Sequence, residues 1–260
     1  MKRFLLLAVL VAAIVFLFVV KSKKIEKTPP LAKRPEAVVA FVIDDWGYNK
    51  KYISILSEIN RPITISILPN LNYSRFILDN VKKLGPHDVI LHLPLESISN
   101  YAPEKDTIRV DMPDEEIRKI LTDDIESLPG IAGVSNHQGS KATKDKRVMK
   151  IVFNELKERG LFFLDSVTTP ESISSKVAKE TKVKFIERDV FLDITDQTDA
   201  LDLKGYVKKQ LQELVDTAKK NKKAVGVGHN LEITLNAIKE YIPEMEAQGI
   251  KIVPLKEIVR

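Results

Sequence analysis

From Ala37 onward, short apolar runs alternate with longer stretches in which apolar residues recur every three or four positions. The first pattern reads as buried strands and the second as amphipathic helices. Strands are predicted at 37–43, 62–67, 88–93, 131–135, 161–165, 183–187, 224–228 and 250–253, with helices near 49–59, 72–84, 113–127, 144–159, 171–181, 202–221 and 232–247. Leu84-Gly85-Pro86 and Arg159-Gly160 supply helix stops, and Pro113-Asp114-Glu115-Glu116 opens a helix with acids at the positive end of its dipole. Continuously apolar strands separated by helices imply a parallel sheet covered on both faces. Seven or eight such units predict an α/β fold, a seven- or eight-stranded (β/α) barrel, closed or nearly so; an open doubly wound sheet is the competing arrangement.

The first 36 residues break this pattern. Phe4 to Val20 is an unbroken apolar run of 17 residues behind Lys2 and Arg3, at the lower limit for a helix that spans a membrane. It ends Phe16-Leu17-Phe18-Val19-Val20 without the small residues of a cleavage site, so residues 1–20 are expected to be an uncleaved anchor helix in preference to a removed signal. Basic residues on both sides leave the positive-inside rule undecided, and the N-terminal position favours export of the chain beyond it. The expected location is therefore anchored to the cytoplasmic membrane, facing the periplasm or cell exterior, with secretion as the alternative. Residues 21–36 hold three prolines, five lysines and one arginine without apolar periodicity, and read as a linker. Residues 37–260 form the predicted barrel domain.

Composition removes some chemistry. Cysteine is absent, which excludes disulfides, thiolate metal sites and cysteine nucleophiles. The net charge of +5 is distributed among many glutamates, which reads as a mixed solvated surface and not as a nucleic-acid footprint.

In barrels and open α/β sheets alike, sites form where strands end. Asp44 and Asp45 follow the first predicted strand, His92 ends the third, Asn136 and His137 follow the fourth, Asp165 ends the fifth and His229 the seventh. Three of the four histidines thus fall on one edge, and the fourth, His87 in a Gly-Pro-His turn, reads as an ordinary exposed residue. Singly, each has a plain structural reading: an Asp can cap a turn, a histidine can sit satisfied in a core, and Asn136-His137-Gln138-Gly139-Ser140 can be a polar turn. Two successive acids after a buried run are harder to treat so, because unpaired buried charge is costly and a cation would offset it. Two imidazoles with one carboxylate are a common ligand set for a divalent metal with open positions. Such a metal polarises a carbonyl and lowers the pKa of bound water toward ~7, while a second carboxylate acts as base and a histidine as acid, as in amide or ester hydrolysis.

The motifs Ile43-Asp44-Asp45-Trp46-Gly47, Leu91-His92-Leu93-Pro94-Leu95-Glu96, Gly133-Val134-Ser135-Asn136-His137-Gln138-Gly139-Ser140, Phe163-Leu164-Asp165-Ser166-Val167-Thr168, Arg188-Asp189-Val190-Phe191-Leu192-Asp193 and Gly228-His229 resemble the divergent polysaccharide deacetylase family across about residues 37 to 259. The resemblance implies a distorted seven-stranded (β/α) barrel and metal-dependent hydrolysis of C–N bonds, removing acetyl groups from peptidoglycan or another surface polysaccharide. Carried over by motif, Asp44 would be the base, Asp45, His92 and His137 metal ligands, and His229 the acid. Asp165 would orient a neighbour or assist the acid. Glu96 rivals His137 as a ligand, because it stands where related deacetylases place the second histidine of an H-x-x-x-H segment. Asn136, Ser140, Arg188, Trp46 and Glu96 are the expected substrate contacts, with Trp46, Tyr48 and Tyr101 as aromatic platforms. The chain departs from the family's Gly-His-Pro-His-Pro pattern at Gly228-His229-Asn230. Zn²⁺ is the expected metal, with Mn²⁺, Co²⁺ and Ni²⁺ also suited to mixed N and O ligands. The partners expected are the acetylated glycan and a membrane, with no nucleic acid. Two alternatives remain open here: a metal-dependent phosphoesterase, for which Lys141 and Arg188 are the candidate anion contacts, and a non-catalytic, envelope-anchored glycan-binding protein.

Overall fold

In the first strand, β1 (Ala37–Trp46), apolar side chains alternate between two destinations. Val39, Phe41 and Ile43 pack against the helices, whereas Ala40 and Val42 face the interior of a curled sheet. A computed structural model describes this architecture for residues 35–99, 102–195 and 202–260. The remaining strands are β2 (Thr64–Ile67), β3 (Asp88–Leu95), β4 (Gly133–Gln138), β5 (Phe162–Asp165), β6 (Phe185–Glu187), β7 (Val190–Phe191), β8 (Lys223–His229) and β9 (Ile250–Ile252). The helices are α1 (Ile53–Ser57), α2 (Ser74–Leu84), α3 (Asp114–Ser127), α4 (Lys146–Arg159), α5 (Ser174–Thr181), α6 (Leu203–Asn221) and α7 (Glu232–Ala247).

All strands are parallel, in the order β6-β5-β4-β3-β2-β1-β8-β7, with β9 beside the start of β1. That is barrel order, but the sheet path ends at β6 and β7 instead of joining them, so the fold is a curled half-barrel rather than a closed ring. Arg188 and Asp189 bridge the seam through backbone bonds to Asp165 and Val225. Val253, Leu255, Ile258 and Val259 reach under the sheet and join Val42 and Val225 in the interior core, plugging the end where strands begin. The opposite end stays open.

Each predicted strand and helix exists, with shifted boundaries. The predicted helix at 49–59 shrinks to α1, β1 runs three residues further than its apolar stretch, and β7, only two residues long, carries too little pattern to be read. His87 corrects the expectation of an exposed turn residue. It is buried, and its Nδ1 accepts the Ile63 backbone N–H at 3.3 Å, staking the turn to the start of β2. No helix among the described residues is long and apolar enough to cross a membrane. The expected anchor at 1–20, all but the end of the linker, and Tyr101 lie outside the described residues.

The helix-facing core holds an aromatic trio in which Phe163 lies 5.0 Å from Phe153 and 6.4 Å from Phe185 between ring centroids. Phe163 is fully buried. Phe163→Ala is expected to cost about 3–5 kcal/mol of unfolding free energy, read from denaturant melts; a cost below about 1 kcal/mol would mean that this layer is not packed as described.

Candidate metal centre

In an unbroken strand, Asp44 and Asp45 would point to opposite faces. Here β1 carries one more residue than β2 between the Ile43 and Trp46 pairings, a bulge, and Asp45 takes a left-handed backbone with φ of 64°. The extra residue leaves Asp44 facing inward, brings Asp45 to the same side, and returns Trp46 to the helix-facing core. Gly47 follows with φ of 125°, where a Cβ would lie 2.8 Å from the Ser74 hydroxyl. Gln138 (φ 55°) and Val167 (φ 49°) are also left-handed, at the ends of the neighbouring strands. Such backbone is costly for residues with a Cβ, most of all for β-branched valine, and these three residues all lie at the open end.

That end is a cavity of about 360 Å³ with Asp44, His92, His137 and His229 in its wall. Asp45 Oδ1 lies 3.3 Å from His92 Nε2 and 3.1 Å from His137 Nδ1, and the three potential ligand atoms fall within 4.8 Å of one another. Asp45 Oδ1 is shielded from solvent and has no hydrogen-bond partner of good geometry among the described residues. Burial alone would raise the Asp45 pKa, yet the two imidazoles hold its carboxyl far below the usual range. His92 Nδ1 is 2.8 Å from the Ser135 hydroxyl, which is 2.7 Å from that of Ser66. With the proton on Nδ1 directed at Ser135, His92 Nε2 turns a lone pair toward Asp45, the outer-shell support that metal-bound histidines use. Two imidazole nitrogens and a carboxylate oxygen thus converge on one place, and a divalent cation fits that donor set.

Asp44 and His229 stand beside this triad. Asp44 Oδ1 is 3.6 Å from His92 Nδ1, and burial pushes the Asp44 carboxyl above its ordinary pKa despite the opposing charges of His92 and His229. His229 Nδ1 lies 2.7 Å from Asp193 Oδ1, while Asp193 Oδ2 accepts the His229 backbone N–H and the Thr234 hydroxyl, both at 2.7 Å. Burial would lower the His229 pKa, but the hydrogen bond and charge of Asp193, with Asp45 and Asp44 behind it, raise it to about 9.

Residues 41–259 match the profile of the divergent polysaccharide deacetylases. The chain belongs to that family. It is 31% identical over 204 residues to the uncharacterized protein YibQ of Escherichia coli K12, covering 78% of this chain but 62% of YibQ, so it spans less than two thirds of that relative. An uncharacterized protein of Haemophilus influenzae is 30% identical over 194 residues, 75% of this chain and 67% of its own. The crystal structure of the uncharacterized protein ATU2773 from Agrobacterium tumefaciens C58 superposes with a TM-score of 0.80 at 23% identity, over 89% of this chain and 92% of that one, and shares the fold.

Within this deacetylase-family fold, several expected site residues lie elsewhere. Asp165 does not line the cavity. Its carboxylate accepts the Val167 N–H and the Ser172 hydroxyl, stapling the loop after β5, and Asp193 is the acid that holds His229. Trp46 is fully buried, so no sugar can stack on it. Glu96 accepts the Val110 N–H and pairs with Lys141 at 2.7 Å, bracing the 96–110 loop instead of a cation. Arg188 donates to the Ser166 and Val167 carbonyls and lies 3.7 Å over the Phe191 ring, behind the wall. Tyr48 is exposed and donates to Glu104. Asn136 and Ser140 do line the cavity, although the Asn136 amide is engaged with Ser166 N–H and Gln138 C=O. The Asn230 backbone N–H donates to the Asp44 carbonyl at 3.0 Å and closes the rim.

Asp193, Phe191 and Ser166 were not legible as site residues. Ser166 has a buried hydroxyl in the cavity wall without a partner among the described residues, and Phe191 lies parallel to His229 with ring centroids 6.0 Å apart. Asp193 closes the Arg188–Asp193 motif and stands two residues beyond a strand end, but the brevity of β7 hid that position.

The Asp193–His229 pair makes a pH prediction. A histidine whose pKa is raised on folding from 6.5 to about 9 contributes stability that is fully present below the lower value and lost as pH rises through the higher. The cation-free protein should therefore lose on the order of 2–3 kcal/mol across this window. Asp193→Asn should flatten the decline in denaturant melts run at several pH values; an unchanged slope would show that Asp193 does not set this titration.

Proposed function

We propose that the protein is a metal-dependent deacetylase that hydrolyses the amide of N-acetylated sugars in a cell-envelope glycan, with peptidoglycan as the leading substrate. The observation that carries this reading is the convergence of the Asp45, His92 and His137 triad with Asp44 and the Asp193-held His229 in one cavity. Zn²⁺ suits two imidazole nitrogens and one carboxylate, and when bound it would polarise the acetyl carbonyl and make water more acidic.

The chain's own groups do the rest. Asp44, held in a dry wall with a raised pKa, takes a proton from the attacking water as its oxygen bonds to the acetyl carbon. His229, protonated at neutral pH, gives its Nε2 proton to the departing sugar nitrogen as the C–N bond breaks, leaving acetate and the free amine. Asp193 holds the imidazole through Nδ1, so Nε2 is the atom that faces the cavity. The wall is divided: Ser97, Ser99, Ser140, Ser166 and Thr168 offer hydroxyls to a sugar, and Phe191 with Ile194 offers an apolar side to the acetyl methyl.

Phosphoester hydrolysis is less well supported. The two expected anion contacts are engaged elsewhere, Lys141 by Glu96 and Arg188 by two carbonyls. The apolar run at 4–20 supports an exported protein held at the cytoplasmic membrane, which carbonate extraction of membranes would test. The function is tested by acetate release from acetylated chito-oligosaccharides and peptidoglycan fragments. Release is expected, loss on chelation, and return with added Zn²⁺. A protein that binds cation and glycan but releases no acetate would be a binding protein, and cleavage of phosphate esters alone would make it a phosphoesterase.

A further inference from the structure

At the end of the sheet where strands begin, away from the cavity, lies a second concavity of about 360 Å³. Its walls carry Lys179 from the last turn of α5, Lys182, Lys184 and Arg260, with Ser175 beside them and Val183 and Phe185 in the floor. Lys182 caps α5 in a left-handed conformation, and Lys182 and Lys184 are exposed on either side of the buried Val183. The Phe185 N–H donates to the Arg260 carbonyl at 2.8 Å, which fixes the fourth cation at the same rim. Among the described residues none of the four cations is paired with a carboxylate. Glu180, the acid next in sequence to Lys179, is turned away onto Lys146 and Lys150 at 3.0 and 3.6 Å. Glu187 feels the charge of Lys179 without pairing with it.

This differs from the basic residues around α4 and the cavity loops, where Lys144, Lys146 and Arg147 each have an acid partner. Here four residues of like charge line one concavity with a partly apolar floor. A concave wall concentrates their field instead of dispersing it into solvent. Three ammonium groups and one planar guanidinium match a group with several anionic oxygens, and phosphate is the group that offers them in all directions.

We propose that this cleft binds a phosphate-bearing anion, at the end of the fold opposite the metal centre. Two sources share that chemistry, a soluble phosphate and the headgroup of an anionic lipid. The binding is independent of the proposed deacetylation, since no residue of the cavity takes part.

The test compares the full chain with a K179Q/K182Q/K184Q variant, whose exposed substitutions should leave the melting temperature and acetate release unchanged. One arm titrates inorganic phosphate and pyrophosphate by calorimetry. The other measures the preference for phosphatidylglycerol over phosphatidylcholine vesicles; any contribution of the N-terminal segment is common to both proteins and cancels. Each lysine near an anionic surface contributes roughly a factor of five, so the variant should lose about a hundredfold of that preference. Loss confined to the phosphate arm identifies a soluble ligand, and loss confined to the vesicle arm a lipid headgroup. Equal behaviour of the two proteins in both arms, or no binding by the wild type in either, overturns the proposal.

Discussion

Asp45→Ala will weaken divalent-cation binding by more than ~100-fold, beyond the range that loss of outer-shell support produces. In the proposed centre Asp45 would supply the one anionic ligand, and its oxygen is the atom on which His92 Nε2 and His137 Nδ1 converge. The two imidazoles hold its carboxyl well below the usual carboxylate range, so it would take a cation without first releasing a proton. The readout need not be turnover. A cation that binds only the folded chain raises its stability by about 2.7 kcal/mol at a hundred times its dissociation constant. Wild type should therefore melt higher with added Zn²⁺ and Asp45→Ala should not. His92→Ala and His137→Ala should lose most of the same increment, and Glu96→Ala, at the rival position, should keep it. Retention of the full increment by Asp45→Ala would place the cation elsewhere, and its loss in Glu96→Ala would restore the H-x-x-x-H-like reading that the Glu96–Lys141 pair argues against.

The contrast between Asp45 and Glu96 shows what can be read along a chain and what cannot. Strand and helix periodicities survive folding because they report which face of an element is dry, so β1 to β6, β8 and β9 were legible, and with them the edge on which polar residues gather. A polar residue at a strand end, however, looks the same whether it holds a cation or staples a loop. Glu96, Asp165 and Arg188 proved to be staples, each engaged by backbone groups of a neighbouring loop. Trp46 was misplaced for a different reason. Counting by twos from Val42 puts it on the inner face, and only the extra residue at Asp44–Asp45 reverses that parity. The same bulge explains why two acids stand together: it lets consecutive residues serve one cavity. Asp193 was hidden because its strand is two residues long, and its role depends on a contact with His229, 36 residues away.

Asp44→Asn separates catalysis from cation binding. The carboxamide has the carboxylate's shape but cannot accept a proton from water, so acetate release should fall by about 10²–10⁴-fold. Asp44 is not one of the three converging ligands, so the Zn²⁺-induced rise in melting temperature should persist. A second effect has the opposite sign. Asp44 is 2% exposed, and its pKa is raised chiefly by burial. An acid whose pKa is higher when folded favours the folded state below its unfolded pKa, and that advantage is lost as pH rises through the folded value. In chelator, at pH above the folded value, ionised Asp44 therefore costs stability, and Asn should raise the melting temperature while cutting turnover. Added Zn²⁺ should narrow the gap, because a cation nearby stabilises the carboxylate but does little for the amide. A dehydrated carboxylate that is dispensable for folding and essential for reaction is what a general base in this wall requires. If the variant instead turns over normally, proton transfer lies elsewhere; if it melts lower in chelator, Asp44 is a structural group of the rim.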